Sequence, residues 1–193
     1  MPDPFVHLHV ASGYSLRYGA SHPHTLVERA AEQEMDTLAL TDRDGTYGAV
    51  KFARACYSAG IRPVLGVELV HHPTQSWSSS APPTRTPVRG GSFRDPVVGG
   101  LPRVTFLASA DGATLNGLSG GRAGWAALCR LVSATHLAGE RGLPVVDFAV
   151  LADQLGEQLA AGHLVVLLGP HSEPARAATR RRDDLALATL ALA

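Results

Sequence analysis

Cysteine is scarce. The 193 residues include two, Cys56 and Cys129, too few for a disulfide framework. Both fall on apolar faces of expected helices, so buried free thiols are the reading. Neither sign of charge is in excess, with 17 Lys and Arg against 17 Asp and Glu. That excludes a global basic field for gripping nucleic acid, and any affinity for phosphate must be local. Long apolar runs are missing as well. No uncharged stretch is long enough to span a bilayer, and the opening MPDPFVHLHV has neither the basic start nor the apolar run of a secretory signal. A cytoplasmic protein without a membrane partner is expected.

What is present favours folding. Apolar residues make up 45% of the chain and charged residues 18%, a balance typical of globular rather than disordered chains. The length suits one domain, or one and a fraction, with a sizeable core.

The chain is organised around Phe5–Ala20, FVHLHVASGYSLRYGA. Phe5–Val10 reads as a strand, on which His7 and His9 would point to the same face. Ser21–Met35 reads as a helix, with Leu26, Val27, Ala30 and Ala31 on its apolar side. TLALT, residues 37–41, reads as a buried parallel strand. A second helix follows over Thr46–Ala59, with Gly48, Phe52, Cys56 and Ala59 inward and Gly60 as its C-cap. Arg62–Val70 is the third strand. Strands and helices in alternation with short loops argue for βαβ units and a parallel sheet. Pro73–Arg103 is rich in Ser, Pro, Gly and Arg and reads as a flexible insertion. Val104–Ala108 resumes as a strand, and Gly112–Gly121 is a loop. A helix from Ala123 carries Trp125, Leu128, Cys129, Val132 and His136 at helical spacing. Asp147 is placed to cap a short helix through Leu155, and His163–Leu168 is another buried strand. The Ala- and Leu-rich tail from Ala175 reads as a weakly packed helix or a frayed end, with Arg180–Arg182 on a solvated face.

Functional residues of α/β folds gather at the C-terminal ends of strands. Here those ends carry His7 and His9, then Asp42, Arg43 and Asp44, then Glu68. Histidines and carboxylates from several strand ends are what a hydrolytic metal centre needs. Each also has a plainer reading. His7 and His9 could be a hydrogen-bonded core pair, and Asp42 and Asp44 a solvated turn. Glu68, flanked by Val67 and Leu69 on a buried strand, needs a partner, and Arg43 is the obvious one. His71 and His72 read as exposed at the mouth of the following loop. Trp125 reads as core.

Phe5–Ala20, ALTDRDGTYGAVKFARA and GIRPVLGVEL resemble the opening motifs of the PHP (polymerase and histidinol phosphatase) domain, as found at the N-terminus of bacterial C-family DNA polymerases of the DNA polymerase III alpha subunit type. GWAALCRLVSATHL, residues 124–137, resembles the helix after the third motif. HLAGERGLPVVDF and GHLVVLLG resemble the error-prone, translesion branch. The resemblance covers most of the chain, with Pro73–Arg103 the main gap.

The resemblance implies an α/β fold: an incomplete PHP-type distorted (β/α) barrel with parallel strands. Residues 1–72 would be its first part with motifs one to three, 73–103 an insertion, and 104–193 a C-terminally truncated continuation. It also implies a multi-metal site. Tyr14, Ser15 and Gly19 set the alignment, so His9 matches the first ligand histidine. Ala11 stands at the second histidine's position, Tyr18 at an aspartate's and Arg43 at another histidine's, while Glu68 is kept. Alanine has no lone pair, neutral tyrosine is a poor ligand, and arginine repels a cation. His9 and Glu68 remain as metal-ligand remnants, with His7, Asp42, Arg43 and Asp44 as further candidates to line the site. No cofactor is expected, and any that bound would be a divalent metal: zinc, manganese or magnesium.

The function implied is the PHP-like domain of an error-prone DNA polymerase, degenerate at its metal site. It would act as a catalytically silent structural or docking module in DNA replication and damage tolerance. Its partners would be a polymerase body or replication and translesion proteins, with DNA met only indirectly. The enzyme alternative is a residual metal-dependent phosphoesterase or 3′–5′ exonuclease acting on phosphate esters or DNA ends, using His9 and Glu68 with His7 and Asp42 as further candidates.

Overall fold

The computed structural model describes residues 5–73, 101–109, 120–139, 144–179 and 187. Helix α1, Pro23–Glu32, begins with proline in its first turn, where the missing N–H costs nothing. It buries Pro23, Val27 and Ala30, while Ala31 is exposed. It closes short of Met35 because Glu34 takes a positive φ of 57°. Strand β1, Thr37–Arg43, is buried almost throughout. Helix α2, Ala49–Ala59, ends on Gly60 at φ 72°, the left-handed cap that the sequence anticipates.

Strand β2, Arg62–His71, pairs with β1 in parallel from Thr37↔Arg62 to Arg43↔Glu68. Strand β3, Arg103–Ala108, pairs with the other edge of β2 but runs antiparallel, Glu68↔Thr105 and Val70↔Arg103. Helix α3, Gly120–Ala138, precedes the two-residue strand β4, Val145–Val146, which joins β2 in parallel beyond the end of β1. Helix α4 is Phe148–Ala160, longer than expected. Asp147 precedes it without a side-chain cap bond. Strand β5, Leu164–Leu167, pairs antiparallel with β3, and helix α5, Glu173–Thr179, follows.

The architecture is the mixed α/β one expected, with β1, β2, β4 and β5 sharing one direction and β3 opposed. The reversal at β3 is a departure from the all-parallel reading. A parallel neighbour needs a crossover connection, whereas antiparallel strands need only a return. Of the expected loop 112–121, residues 120 and 121 open α3 and the rest lies outside the described residues. Of the expected insertion 73–103, Arg103 opens β3 and residues 74–100 lie outside them, as does the arginine run at 180–182.

Alternation along the strands gives the sheet two unlike faces. One is apolar except at the far ends of β1 and β2, where Asp42 and His71 stand. Leu38 and Leu40 pack with Val27, Ala30, Phe52 and Cys56 under α1 and α2. Val67, Leu69, Val104, Phe106 and Leu164 pack with Leu128, Leu131, Leu151 and Leu155 under α3 and α4. Trp125 is partly buried against that second cluster, as core. Both thiols are free, Cys56 buried as expected and Cys129 only partly so. Burial pushes the Cys56 thiol up to about 11 and raises that of Cys129. The opposite face carries Thr41, Arg43, Glu68, Arg103 and Thr105, and the site is built there.

Phe5–Val10 is not a strand of this sheet. Ala39 N–H donates to the His7 carbonyl at 3.0 Å and Thr41 N–H to that of Val10 at 2.7 Å. Two residues of β1 therefore face three of the segment. The Val10 N–H goes to the Thr41 hydroxyl at 3.0 Å instead of a backbone carbonyl, which breaks the ladder.

Candidate metal-site remnant at the β1–β2–β3 edge

Two carboxylates organise this edge, and they are held quite differently. Asp42 is 1% exposed, so the solvated-turn reading does not hold for it. Its Oδ1 accepts from the Ser12 N–H at 2.6 Å and the Ser15 hydroxyl at 2.8 Å, and its Oδ2 from the Ser12 hydroxyl at 2.9 Å. The Ser15 oxygen in turn accepts from the Arg43 N–H at 2.9 Å. Asp42 thereby folds the loop 11–21 onto the end of β1. Two glycines allow this. A Cβ on Gly19 would lie 1.9 Å from the Ser12 carbonyl oxygen, and one on Gly48 would lie 2.8 Å from Asp42 Oδ2. The carboxylate thus closes against the first turn of α2, where the helix dipole favours negative charge.

Glu68 is the second carboxylate, its side chain 3% exposed. The register sets Arg43 directly beside it and Arg103 on the diagonal. Arg43 Nε donates to Glu68 Oε2 at 2.6 Å. Arg103 Nη1 lies 3.6 Å from the same oxygen, and His9 Nε2 lies 3.4 Å from Oε1. Burial pushes the Glu68 carboxyl up, but the His9 hydrogen bond and the Arg43 and Arg103 charges prevail and bring it down to about 2. The carboxylate is therefore ionised throughout the physiological range.

Asp44 completes the cluster. It takes a left-handed φ of 57° just past β1, and its N–H donates to the Glu68 carbonyl at 2.9 Å. Arg103 forks onto its carboxylate, with Nη2 to Oδ2 at 2.9 Å and Nη1 to Oδ1 at 3.3 Å. The Asp44 carbonyl accepts from His136 Nε2 of α3 at 2.5 Å. His136 is exposed rather than on the apolar face.

Two of the positions at which the resemblance implies a lost ligand, Tyr18 and Arg43, touch one another. The Arg43 guanidinium carbon lies 3.3 Å from the centroid of the Tyr18 ring, a cation–π contact. Arg43 is thus held between a phenol and a carboxylate.

The sequence candidates separate as follows. His9, Arg43, Asp44 and Glu68 come together. Asp42 lies at the same strand end but is consumed by the serines. His7 and His9 do not form a core pair: both are exposed, and His7 packs edge-on against Phe5 at 4.8 Å. His71, expected at the exposed loop mouth, is buried, at 3%. It lies where β2 continues past β1 beside β4, and its Nδ1 sits 2.8 Å from the His72 carbonyl oxygen. Burial lowers its pKa. Arg103, Ser12 and His136 were not picked out as site residues. Arg103 had a signal, a charge at the head of the apolar run VTFLA. Nothing local marks Ser12 or His136.

As a metal site the donor set does not fit. Among the described residues no group of three or more His, Cys, Asp or Glu side chains could hold a metal ion. His9 and Glu68 remain adjacent, but a guanidinium shares that carboxylate.

The fold and this strand-end cluster define an α/β domain with two arginines inside its carboxylate site. The chain belongs to the PHP domain family, whose model matches residues 7–190. It is 34% identical over 198 residues to an error-prone DNA polymerase of Nocardia farcinica, covering 95% of this chain and 16% of that protein. It is likewise 34% identical over 167 residues to an error-prone DNA polymerase of Mycolicibacterium paratuberculosis, covering 86% of this chain and 12% of the relative. The chain thus spans less than one fifth of the length of these curated relatives. Among solved structures, an amidohydrolase from Chromobacterium violaceum with bound sulfate and no metal aligns at TM-score 0.40 and 23% identity, covering 89% of this chain and 43% of that one. Among the described residues, no helix is long and apolar enough to cross a membrane.

Proposed function

We propose that this chain is a catalytically silent PHP domain that serves as a structural or docking module for a polymerase body in DNA replication and damage tolerance. The carrying observation is the 2.6 Å bond from Arg43 to Glu68. A permanently charged guanidinium with no acceptor lies against the carboxylate that would otherwise be offered to a metal. Ala11 and Tyr18 remove two further donors. The relatives' description as error-prone DNA polymerases supports the biological setting, with a polymerase body as partner and DNA met indirectly. The composition shift at 73–103 supports an insertion there within one domain.

The test is hydrolysis. The purified chain is incubated with p-nitrophenyl phosphate and with 3′-ended single-stranded DNA, in manganese or zinc, beside a His9→Ala control. No turnover above buffer is expected. Turnover that His9→Ala abolishes would overturn the reading in favour of a metal-dependent phosphoesterase or 3′–5′ exonuclease. The 3.4 Å approach of His9 to Glu68 is the observation that keeps this alternative in view.

A further inference from the structure

The cluster around Glu68 balances its own charge. Glu68 and Asp44 carry two negative charges, and Arg43 and Arg103 two positive. Arg103 is 9% exposed and joins four parts of the molecule. It stands on β3, forks onto Asp44 beyond β1, faces Oε2 of Glu68 on β2, and donates from Nη1 to the Glu68 backbone carbonyl at 3.4 Å. Through Asp44 it also reaches His136 on α3. A divalent cation among strand-end carboxylates has the same charge and the same bridging role.

We infer that Arg103, with Arg43, is a built-in dication that cross-links β1, β2 and β3, so that the site keeps its geometry without any metal ion. This rests on the reading of a site that holds no metal, and it adds a positioning role for a residue outside the matched motif positions. A dication of guanidiniums differs from a metal in one decisive way: it cannot be removed by a chelator. It also leaves a mark that simple packing would not. Deleting Arg103 strands the buried Glu68 charge with less neutralisation, and deleting that charge as well relieves the loss. The groups then left, Arg43 and Asp44, have side chains 22% and 24% exposed and can be solvated.

The experiment is thermal unfolding of the full chain, with and without EDTA or added manganese, for wild type, Arg103→Met, Glu68→Gln and the double variant. Wild type is expected to melt at one temperature in all three conditions. Arg103→Met should lower the midpoint by about 5–10 °C, and by clearly less in the Glu68→Gln background. A wild-type midpoint that moves with EDTA or manganese overturns the proposal. So does a loss from Arg103→Met that is equal in both backgrounds, since that is a packing effect. If Arg103→Met alone does not fold, recovery of a folded chain by adding Glu68→Gln supports the proposal and non-recovery overturns it. Metal-dependent hydrolysis would defeat the silent-domain reading, whereas additivity in this cycle defeats only the assignment of Arg103.

Discussion

A buried carboxylate is a liability that its neighbours must offset, and at Glu68 the direction of the offset makes a pH prediction. Its folded pKa of about 2 lies below the ordinary 4.5. Stability from this group is therefore fully present above pH 4.5 and lost as pH falls toward 2, on the order of 3 kcal/mol in all. Unfolding midpoints measured from pH 6 to pH 2.5 should fall more steeply for wild type than for Glu68→Gln. Parallel curves would mean that Glu68 is not the titrating group. Arg43 is the nearest cation, and its replacement tests both of its contacts. Arg43→Ala should cost about 2 kcal/mol, less than a fully orphaned buried charge, because Arg103 and His9 still face Glu68. Arg43→Lys should recover under half of that in denaturant titration. Lysine keeps the charge but cannot stack flat on Tyr18 while its donor reaches Oε2.

At the scale of elements, the loop 11–21 owes its shape to one side chain. Asp42→Ala would leave the Ser12 N–H and the two serine hydroxyls without their acceptor. A cost of about 3 kcal/mol or more is expected. Hydrogen exchange should rise first at Ser12–Gly19 while α3 stays protected. Uniform loosening would show that Asp42 supports the whole sheet and not the loop. The elements were readable in the sequence where a single period or cap decides them: β1 from TLALT, α2 from its apolar spacing and Gly60, β2 from its apolar run, and α3 from Leu128, Val132 and their neighbours. The Arg43–Glu68 pair was readable too, because a carboxylate between Val67 and Leu69 has to find a cation. What was hidden depends on register. Phe5–Val10 has a strand's composition, yet the Thr41 hydroxyl competes for its backbone. Arg103 joins Glu68 only because β3 reverses direction and sets Val70 against Arg103. His71 is buried because β2 runs on past β1 to meet β4.

For the whole molecule, the two faces of the sheet bear on whether its halves fold together. The apolar face holds two clusters, one under α1 and α2 and the other under α3 and α4, and β2 contributes to both: Leu65 packs against the first, and Val67 and Leu69 belong to the second. The polar face ties the same three strands through Arg43, Glu68 and Arg103. A domain linked on both faces of its sheet should lose stability as one unit. Leu69, fully buried in the second cluster, tests this from the side away from α1. Leu69→Ala should cost about 3 kcal/mol through lost burial and the cavity left behind. In native-state hydrogen exchange, the most protected amides of α1 and α2 should then speed up by the same factor as those of α3 and α4. Acceleration confined to α3 and α4 would mean that the halves open separately, and that the arginine cluster spans a seam between two folding units instead of holding one together.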